Sequence, residues 1–277
     1  MAEKLKIELK EIQETLLLPL WGRAVESQKE NPRLTDRKAV EIIEQIDYDF
    51  SRITQNISWI TQLAWVARSL HMDNAIQNFI GRVPEAVIVN IGCGLDTTYE
   101  RMANNQIRFY DLDLPEVIRL RNTFFRDHGR RKTLVGSFLD PGWIRQFKTH
   151  DPVLFIAAGV FYYFDENQIR SFITSLAEYF NFCEVFFDSA SPLGVRVANK
   201  KVIQDGGMDE SAMLKWGIKT ARVIETWDPR IKRIAEFPMF RGFKKGYPLR
   251  MQYGLWMSDF LKIMSMVHLR IERANVP

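Results

Sequence analysis

Apolar residues spaced three or four apart predict helices along the first part of the chain. In residues 3–18 this spacing is regular, and the sequence predicts that Pro19 and Gly22 interrupt the helix. Thr35 or Asp36 then stands directly before a second apolar stripe, in the position of a helix cap. A side-chain oxygen there accepts a hydrogen bond from a free backbone N–H, so we expect a second helix to begin at this point.

A third helical stripe runs through residues 51–80, and the pattern changes at Pro84. Because no strand candidate precedes that proline, the sequence predicts a helical cap over residues 1–80. Beyond it, short runs rich in β-branched and aromatic residues are typical of strands buried on both faces. These runs are 85–92, 108–115, 132–138, 152–161 and 183–191.

Helical patterns at 116–129 and 165–180 separate some of these strands. Strands that alternate with helices predict an α/β fold with a parallel sheet, which binds ligands beyond the carboxyl ends of its strands. We therefore expect one domain over 81–277, packed with the cap into a single compact unit. The predictions for its last third are a helix over 209–219, a mixed basic segment over 219–247, a helix over 251–266 and a strand over 267–273.

A glycine turn follows the first predicted strand, in the run NIGCGLDTTY. Gly92 and Gly94 give the backbone access to positive φ and leave room for a ligand beside free helix N–H groups. A dinucleotide site would add a third glycine where this chain has Thr97, which disfavours NAD(P) without excluding it. Asp113 lies 21 residues after Gly92, and Asp111 shares its strand face. Such acids bind ribose hydroxyls, although solvated strand-end acids would give the same pattern.

Composition and charge narrow the classes of partner. The chain has 277 residues and a net charge of +4, and it shows no basic block interleaved with aromatics, so we expect no nucleic-acid partner. Cys93 and Cys183 are too few for a disulfide framework or a metal cluster. No apolar window is long enough to span a membrane, and the first residues do not resemble a signal peptide. The sequence therefore predicts a cytoplasmic protein with no membrane partner and no metal.

Three segments give the chain a specific resemblance. The turn NIGCGLDTTYER, the acidic strand YDLDLPEVI and the upstream helix AWVARSLHMDNAIQNFI are similar to those of the leucine carboxyl methyltransferase family of class I S-adenosylmethionine (SAM) enzymes. Within it, the chain resembles the polyketide O-methyltransferase branch, typified by the tetracenomycin carboxyl methyltransferase; TLLLPLWGRAVE and DYDF fit that branch too. The resemblance covers residues 15–190 well. It implies a Rossmann-like α/β fold, SAM as the cofactor and O-methyl transfer as the reaction.

The resemblance also assigns residues to the methionine and ribose portions of SAM. Arg68 matches an arginine that contacts the methionine carboxylate in this family, and a guanidinium can hold a carboxylate with two parallel hydrogen bonds. From the residues alone, a solvated helix arginine is the alternative. Gly92 and Gly94 would let the methionine portion pass the backbone. Asp113, helped by Asp111, would bind the ribose hydroxyls.

The adenine end and the methyl donor involve residues after the third and fourth strands. Ser137 and Phe138 match the segment beside adenine, although a phenylalanine at a strand end is often part of the core. The family often carries an acid where this chain has Ala158. This departure leaves a catalytically degenerate SAM-binding protein as an alternative. The resemblance further implies that Tyr162 or Tyr163 faces the methyl donor.

We expect the acceptor to be a small acidic metabolite, such as a polyketide-type compound. A carboxylate is ionised at neutral pH and needs no general base, whereas a hydroxyl does. None of the four histidines lies in a strand-end motif, which favours a carboxylate. The N-terminal helices and an insertion over about 189–255, rich in basic and aromatic residues, would cover the acceptor. An NAD(P)-dependent oxidoreductase is the less favoured enzymatic alternative.

Overall fold

The computed structural model of the chain describes residues 11–51, 57–102, 107–200 and 213–273. Its strands are β1 Val87–Ile91, β2 Arg108–Asp113, β3 Arg131–Val135, β4 Val153–Ala157, β5 Phe182–Ala190, β6 Ile231–Pro238 and β7 Met264–Glu272. Its α-helices are α1 Glu11–Ser27, α2 Arg37–Gln45, α3 Trp59–Arg82, α4 Thr98–Met102, α5 Pro115–Phe124, α6 Glu166–Tyr179, α7 Pro192–Ala198 and α8 Leu249–Phe260. Short 3₁₀ helices cover Pro141–Gln146, Phe161–Tyr163 and Ala221–Thr226.

The strands of the described residues form one sheet in the order β3-β2-β1-β4-β5-β7-β6. β1 to β5 pair in parallel, and β7 is antiparallel to both β5 and β6. Every residue of β1 is buried, and this strand lies between β2 and β4. The winding of the sheet reverses there, and such a switch point opens a crevice beyond the carboxyl ends of the strands. The predicted α/β fold is confirmed.

Helices cover the sheet on both faces. On one face α3 packs against Ile88, Leu154 and Phe186. On the other face α6 packs against Val89 and Phe155. Neighbouring positions of one strand thus point to opposite layers, as the pleat of a sheet requires. Residues at the strand ends inherit the same alternation, which decides which of them face α3.

Aspartates cap two of the helices, and the cap predicted at Thr35 or Asp36 is confirmed at Asp36. Asp36 precedes α2, and its carboxylate accepts a hydrogen bond from Ala39 N at 2.9 Å. Asp165 precedes α6 in a reciprocal capping box with Gln168. In both cases a short acidic side chain satisfies a backbone N–H that the first turn of a helix leaves free. These local signals were strong because the partner of each cap lies within the next turn.

The predicted interruption of the first helix is wrong, because α1 continues past Pro19. Leu17 and Leu20 are both fully buried, so packing holds the helix on either side of the proline. Gly22 serves the contact between α1 and α3 instead of ending the helix. A Cβ at this glycine would lie 2.6 Å from Cε3 of Trp65, so only glycine allows the two helices to approach this closely.

The last third of the chain differs most from the prediction. The helix predicted over 209–219 lies partly outside the described residues, and its described part is wrong, since 213–218 have no regular secondary structure. Lys215 N and Trp216 N donate instead to the carbonyl oxygen of Tyr162, at 2.6 and 3.1 Å. These tertiary hydrogen bonds and the burial of the Trp216 side chain replace the helical pattern.

The segment over 219–247 contains the strand β6, which the sequence pattern did not reveal. The helix predicted over 251–266 stops at Phe260, because Met264 already begins β7. The closing strand predicted over 267–273 is confirmed and starts earlier than expected. The division into a cap over 1–80 and a domain over 81–277 stays a prediction.

Within the described ranges, no helix is both long and apolar enough to cross a membrane. The same ranges contain no group of three or more His, Cys, Asp or Glu side chains arranged to hold a metal ion. Cys93 and Cys183 are buried, free thiols.

Candidate active site

The turn after β1 has the backbone that its glycines predict. Gly92 has a φ of +59° and Gly94 a φ of +48°, in the left-handed region where other residues are strained. A Cβ on Gly92 would lie 2.6 Å from Cγ2 of Val160, so the turn approaches the segment after β4 closely. The turn therefore lies in the crevice at the carboxyl ends of β1 and β4.

Asp113 ends β2 and lies half-buried beside this turn. Its Oδ2 accepts a hydrogen bond from Gly94 N at 2.7 Å, and its Oδ1 accepts one from Leu114 N at 2.8 Å. Burial raises the pKa of Asp113, and the two N–H groups offset part of that rise. Each carboxylate oxygen has a second acceptor site, so Asp113 can also accept hydrogen bonds from a ligand hydroxyl.

Asp111 has different partners, although it lies two residues from Asp113 on the same strand. Arg121 Nη2 donates to its Oδ2 at 2.9 Å, and Arg131 donates to the same oxygen from Nε at 3.0 Å and Nη2 at 2.9 Å. Asn90 Nδ2 lies 3.3 Å from the other carboxylate oxygen. Asp111 is also buried. Both oxygens of this carboxylate are thus engaged by protein side chains.

Arg121 connects this buried carboxylate to the glycine turn. Its Nη1 donates to the carbonyl oxygens of Gly94 at 2.9 Å and Asp96 at 2.7 Å. The guanidinium also lies over the ring of Phe125, with 4.0 Å from Cζ to the ring centroid. Arg121 therefore fixes the turn from inside the domain.

Arg68 lies buried in the middle of α3, above the ends of β4 and β5. Its Nη1 donates to Tyr162 Oη at 3.1 Å and to Asp188 Oδ2 at 3.2 Å. Among the described residues, its Nε and Nη2 have no hydrogen-bond partner. One edge of the guanidinium is held by the protein, and the other edge is available to an anion.

Asp188 and Gly159 shape the surroundings of this arginine. Asp188 is fully buried, and its Oδ1 accepts a hydrogen bond from Gly159 N at 2.6 Å. Gly159 has a φ of +78°, and a Cβ there would lie 2.6 Å from Arg68 Nη1. Only glycine therefore lets the guanidinium lie directly against this backbone. Ala158 precedes it, half-buried and without a carboxylate.

Ser137 and Phe138 lie beyond the end of β3, not within it as the sequence predicted. Ser137 is half-buried, and its Oγ accepts a hydrogen bond from Leu139 N at 3.2 Å. Phe138 is buried in an aromatic cluster. Its ring centroid lies 5.6, 4.7 and 5.2 Å from those of Phe161, Phe164 and Phe172. The side chain thus has the packing of a core residue.

Tyr162 and Tyr163 occupy the short 3₁₀ helix after β4, with ring centroids 5.0 Å apart. The Tyr162 hydroxyl accepts from Arg68, and its carbonyl oxygen accepts from Lys215 and Trp216, which brings the segment after α7 to the crevice. Burial raises the pKa of both phenols. Each therefore keeps its proton at neutral pH and can donate a hydrogen bond.

Thr97, at the position of the absent third glycine, bonds to the helical cap. Its hydroxyl donates to Asp36 Oδ2 at 2.5 Å. Arg23 Nε and Arg101 Nη1 donate to the same oxygen, at 2.9 and 3.1 Å. Burial opposes ionisation of Asp36, but these arginines hold its pKa below the ordinary value. The cap and the glycine turn thus share one carboxylate.

A family model of leucine carboxyl methyltransferases matches residues 17–177, more than half of the chain. The match includes Arg68, the glycine turn, Asp113 and both tyrosines. The chain belongs to the leucine carboxyl methyltransferase family. The resemblance inferred from the turn and the acidic strand is confirmed.

Two relatives of this leucine carboxyl methyltransferase family member match most of its length. The tetracenomycin polyketide synthesis O-methyltransferase TcmP of Streptomyces glaucescens is 28% identical over 228 residues, which cover 82% of each chain. The S-adenosyl-L-methionine-dependent methyltransferase dpfgK of Gibberella zeae is 26% identical over 252 residues, which cover 83% of each chain.

Solved structures share the fold. A DUF574 family protein from Streptomyces avermitilis has a TM-score of 0.58 at 12% identity, covering 94% of this chain and 97% of its own. The plantazolicin methyltransferase BamL, solved with SAH and a triazolic desmethylPZN analogue, has a TM-score of 0.52 at 8% identity, covering 95% and 98%. At these identities the likeness concerns the fold alone. Family and fold identify the chain as a class I SAM-dependent methyltransferase with SAM as its cofactor.

Sequence reasoning missed Asp188, Gly159 and Arg121. For Asp188 a signal existed, because an acid that ends the apolar run VFF resembles Asp113 at the end of its own strand. Gly159 lies two residues after the buried strand β4, which is a common position for a turn glycine. Arg121 gave no signal, since an arginine within a helix is ordinary until its distant partners are known.

Proposed function

We propose that the protein transfers the methyl group of SAM to an oxygen of a small acidic metabolite, with a carboxylate as the acceptor and a polyketide-type compound as the kind of molecule. The observation that carries this proposal is the available edge of Arg68. It lies buried at the crevice between the glycine turn and the ends of β4 and β5. The similarity to TcmP supports the kind of acceptor.

The crevice fits a nucleoside that carries an amino-acid tail. The Nε and Nη2 of Arg68 have no partner among the described residues, and this pair of donors would hold the methionine carboxylate. Gly92 and Gly94 would leave space for the methionine portion beside the backbone. Asp113 would accept hydrogen bonds from the ribose hydroxyls. Asp111 would not contact the ligand; it would hold Arg121, which in turn holds the glycine turn.

Ser137 and Phe138 are proposed for the adenine end of the cofactor. The half-buried hydroxyl of Ser137 follows β3, the strand beside β2 and its ribose acid. One edge of the Phe138 ring would pack against the adenine, while the neighbouring phenylalanines hold the Phe138 ring in place. Ala158 would line the crevice on the side of β4 without a charge.

Alignment and exclusion of water are the tasks left to the protein. SAM supplies a methyl group already activated on a sulfonium, so orientation of the acceptor accounts for most of the acceleration. A carboxylate acceptor arrives ionised and needs no base. Tyr162 accepts from Arg68, so its own O–H is free to orient the acceptor. His71, one turn along α3 from Arg68, has its Nε2 2.9 Å from Met239 O, which leaves this ring in a structural role.

The segment over about 189–255 would cover the acceptor. The hydrogen bonds from Lys215 and Trp216 to Tyr162 hold part of it at the crevice. Arg241 and Lys245 on this segment are exposed cations, which suits an anionic acceptor. Its aromatic side chains contribute differently, because Trp216, Trp227, Phe240 and Phe243 are buried in the core.

Calorimetry and a paired panel of acceptors test this function. We expect S-adenosylhomocysteine (SAH) to bind and NAD not to bind. With SAM present, aromatic carboxylic acids are then compared with their own methyl esters and with phenols of the same size. We expect methyl transfer to the free acids alone.

Each contrary result points to a different alternative. Transfer to the phenols and not to the acids would replace the carboxylate by a hydroxyl acceptor. Tight SAH binding without transfer to any compound favours the degenerate SAM-binding protein. Binding of NAD in place of SAH would overturn the assignment of the site.

A further inference from the structure

Asp188 is a buried carboxylate at the crevice to which the proposed function gives no role. It lies on the sheet face covered by α3, because Phe186, two residues earlier on β5, packs there. One of its oxygens accepts from Gly159 N and the other from Arg68 Nη1. Asp188 is fully buried, whereas Asp113 is only half-buried, so Asp188 acts on a ligand through Arg68.

The strand register places Asp188 next to Ala158. β4 and β5 pair Ala157 with Phe187, and the next step along both strands sets Ala158 beside Asp188. Side chains at paired positions of parallel strands point to the same face. Ala158 offers only a methyl group, so at this level of the sheet β5 supplies the carboxylate that faces α3.

The contacts of Arg68 explain what that carboxylate does. Nη1 donates to both Asp188 and the Tyr162 hydroxyl. These two hydrogen bonds fix the orientation of the guanidinium. A buried guanidinium also needs a nearby anion when no ligand is bound. Asp188 orients the guanidinium and also supplies the nearby anion. Because it contacts Nη1 alone, Nε and Nη2 stay available to a ligand.

We propose that Asp188 is a positioning residue that presents the outer edge of Arg68 to the methionine carboxylate of SAM, and that it supplies from β5 the charge that Ala158 does not. This inference rests on the proposed function, since it assumes that Arg68 takes that carboxylate. It extends that function by making recognition of the amino-acid tail depend on a residue of a different strand.

The variant Asp188→Asn, with two ligands, tests the proposal. SAH carries the amino-acid tail, whereas 5′-methylthioadenosine has the same nucleoside without it. By calorimetry we expect the variant to lose about tenfold in affinity for SAH and nothing for methylthioadenosine, because one charge-assisted contact of Arg68 is weakened. Equal losses for both ligands, or no loss for SAH, would overturn the proposal. If the unaltered protein does not bind SAH, the proposed function fails instead.

A second substitution moves the acid to the neighbouring strand. We expect Ala158→Glu combined with Asp188→Asn to recover SAH affinity, since position 158 points to the same face. Urea unfolding checks that the double variant is as stable as the unaltered protein. If it is, and it still binds SAH as weakly as Asp188→Asn does, the proposal is contradicted. If Asp188→Asn does not fold, Tyr162→Phe removes the other partner of Nη1. It should cost about threefold for SAH alone, and an equal effect on methylthioadenosine would count against the proposal.

Discussion

Asp111 and Asp188 are both buried aspartates near the carboxyl ends of parallel strands, and each is paired with arginine, yet their clusters differ. Asp111 is bound by Arg121 and Arg131, and the remaining hydrogen bonds of Arg121 end on carbonyls of the glycine turn. Asp188 is bound by Arg68 through a single nitrogen. The first cluster uses its donors inside the protein, whereas the second keeps donors available.

The difference shows that the role of a buried ion pair follows from its balance of donors and acceptors. Where the protein satisfies a guanidinium, as at Arg121, the pair fixes the backbone. Where a guanidinium has more hydrogen-bond donors than the protein has acceptors for it, as at Arg68, the remaining donors can bind an anionic ligand. Three experiments test this contrast: the first measures stability, the second measures stability and binding, and the third measures binding against pH.

The largest effect is expected for Asp111→Asn. Two buried arginines would lose their shared anion, and breaking a buried pair in this way costs about 3–5 kcal/mol of the free energy of unfolding. Urea unfolding measures the loss. Asp188→Asn is the matched control and should lose clearly less, because Asp188 neutralises one arginine instead of two. Equal losses would remove the distinction between the clusters.

The next largest effect is expected when Arg68 and Arg121 are each replaced by lysine. Arg68→Lys keeps the charge but loses the planar fork, so SAH affinity should fall about 100-fold, or about 2.7 kcal/mol, with methylthioadenosine unaffected. Arg121→Lys should instead lower the free energy of unfolding by about 2 kcal/mol, since a lysine cannot reach Asp111 and two carbonyls together. A loss of stability in Arg68→Lys as large as in Arg121→Lys would contradict this division of roles.

The smallest effect concerns Asp113 and pH. Burial raises its pKa above the ordinary value, so this carboxylate takes up a proton earlier than usual as the pH falls. Only the ionised form accepts hydrogen bonds at both oxygens, so affinity for SAH should decline as the pH drops through that raised pKa. Asp113→Asn should bind about tenfold more weakly and show a flat profile in this range.

The control for this last variant is again methylthioadenosine. It keeps the ribose, so its affinity should fall in parallel with that of SAH. Calorimetry across the pH range would thus distinguish a ribose contact from the tail contact of Arg68. A variant profile that declines like that of the parent protein would assign the pH dependence to another group.

Much of the fold was accessible from local pattern. The buried run that forms β1, the positive φ of Gly92 and Gly94 and the cap at Asp36 each depend on residues close in sequence. Pro19 shows the limit of such rules, because packing on both sides of it keeps α1 intact. The segment 213–218 fails for the related reason that its backbone bonds to Tyr162, far away in the chain.

The site residues were accessible only in part. Asp113 and Arg68 came from the glycine turn and the family resemblance. The different role of Asp111 could not be read from its position, since its partners arrive from α5 and β3. Arg68 and Asp188 are 120 residues apart, so no local pattern records their contact. From the sequence, Thr97 was recognisable only as the residue that replaces a third glycine. Its role became clear from its hydrogen bond to Asp36 in the helical cap.

That bond of Thr97 also affects how the protein opens. Asp36 caps α2 and simultaneously holds Thr97 and Arg101 at the start of α4. Local unfolding of α2 would remove this acceptor from Thr97 and one of the carboxylates that Arg101 contacts, although Arg101 keeps its two hydrogen bonds to Asp73. Opening of α2 is therefore coupled to opening of the glycine turn. In hydrogen exchange, amides in the first turn of α2 should exchange at the same rate as those of residues 92–98. A ligand that occupies the turn would therefore protect a helix that it does not touch.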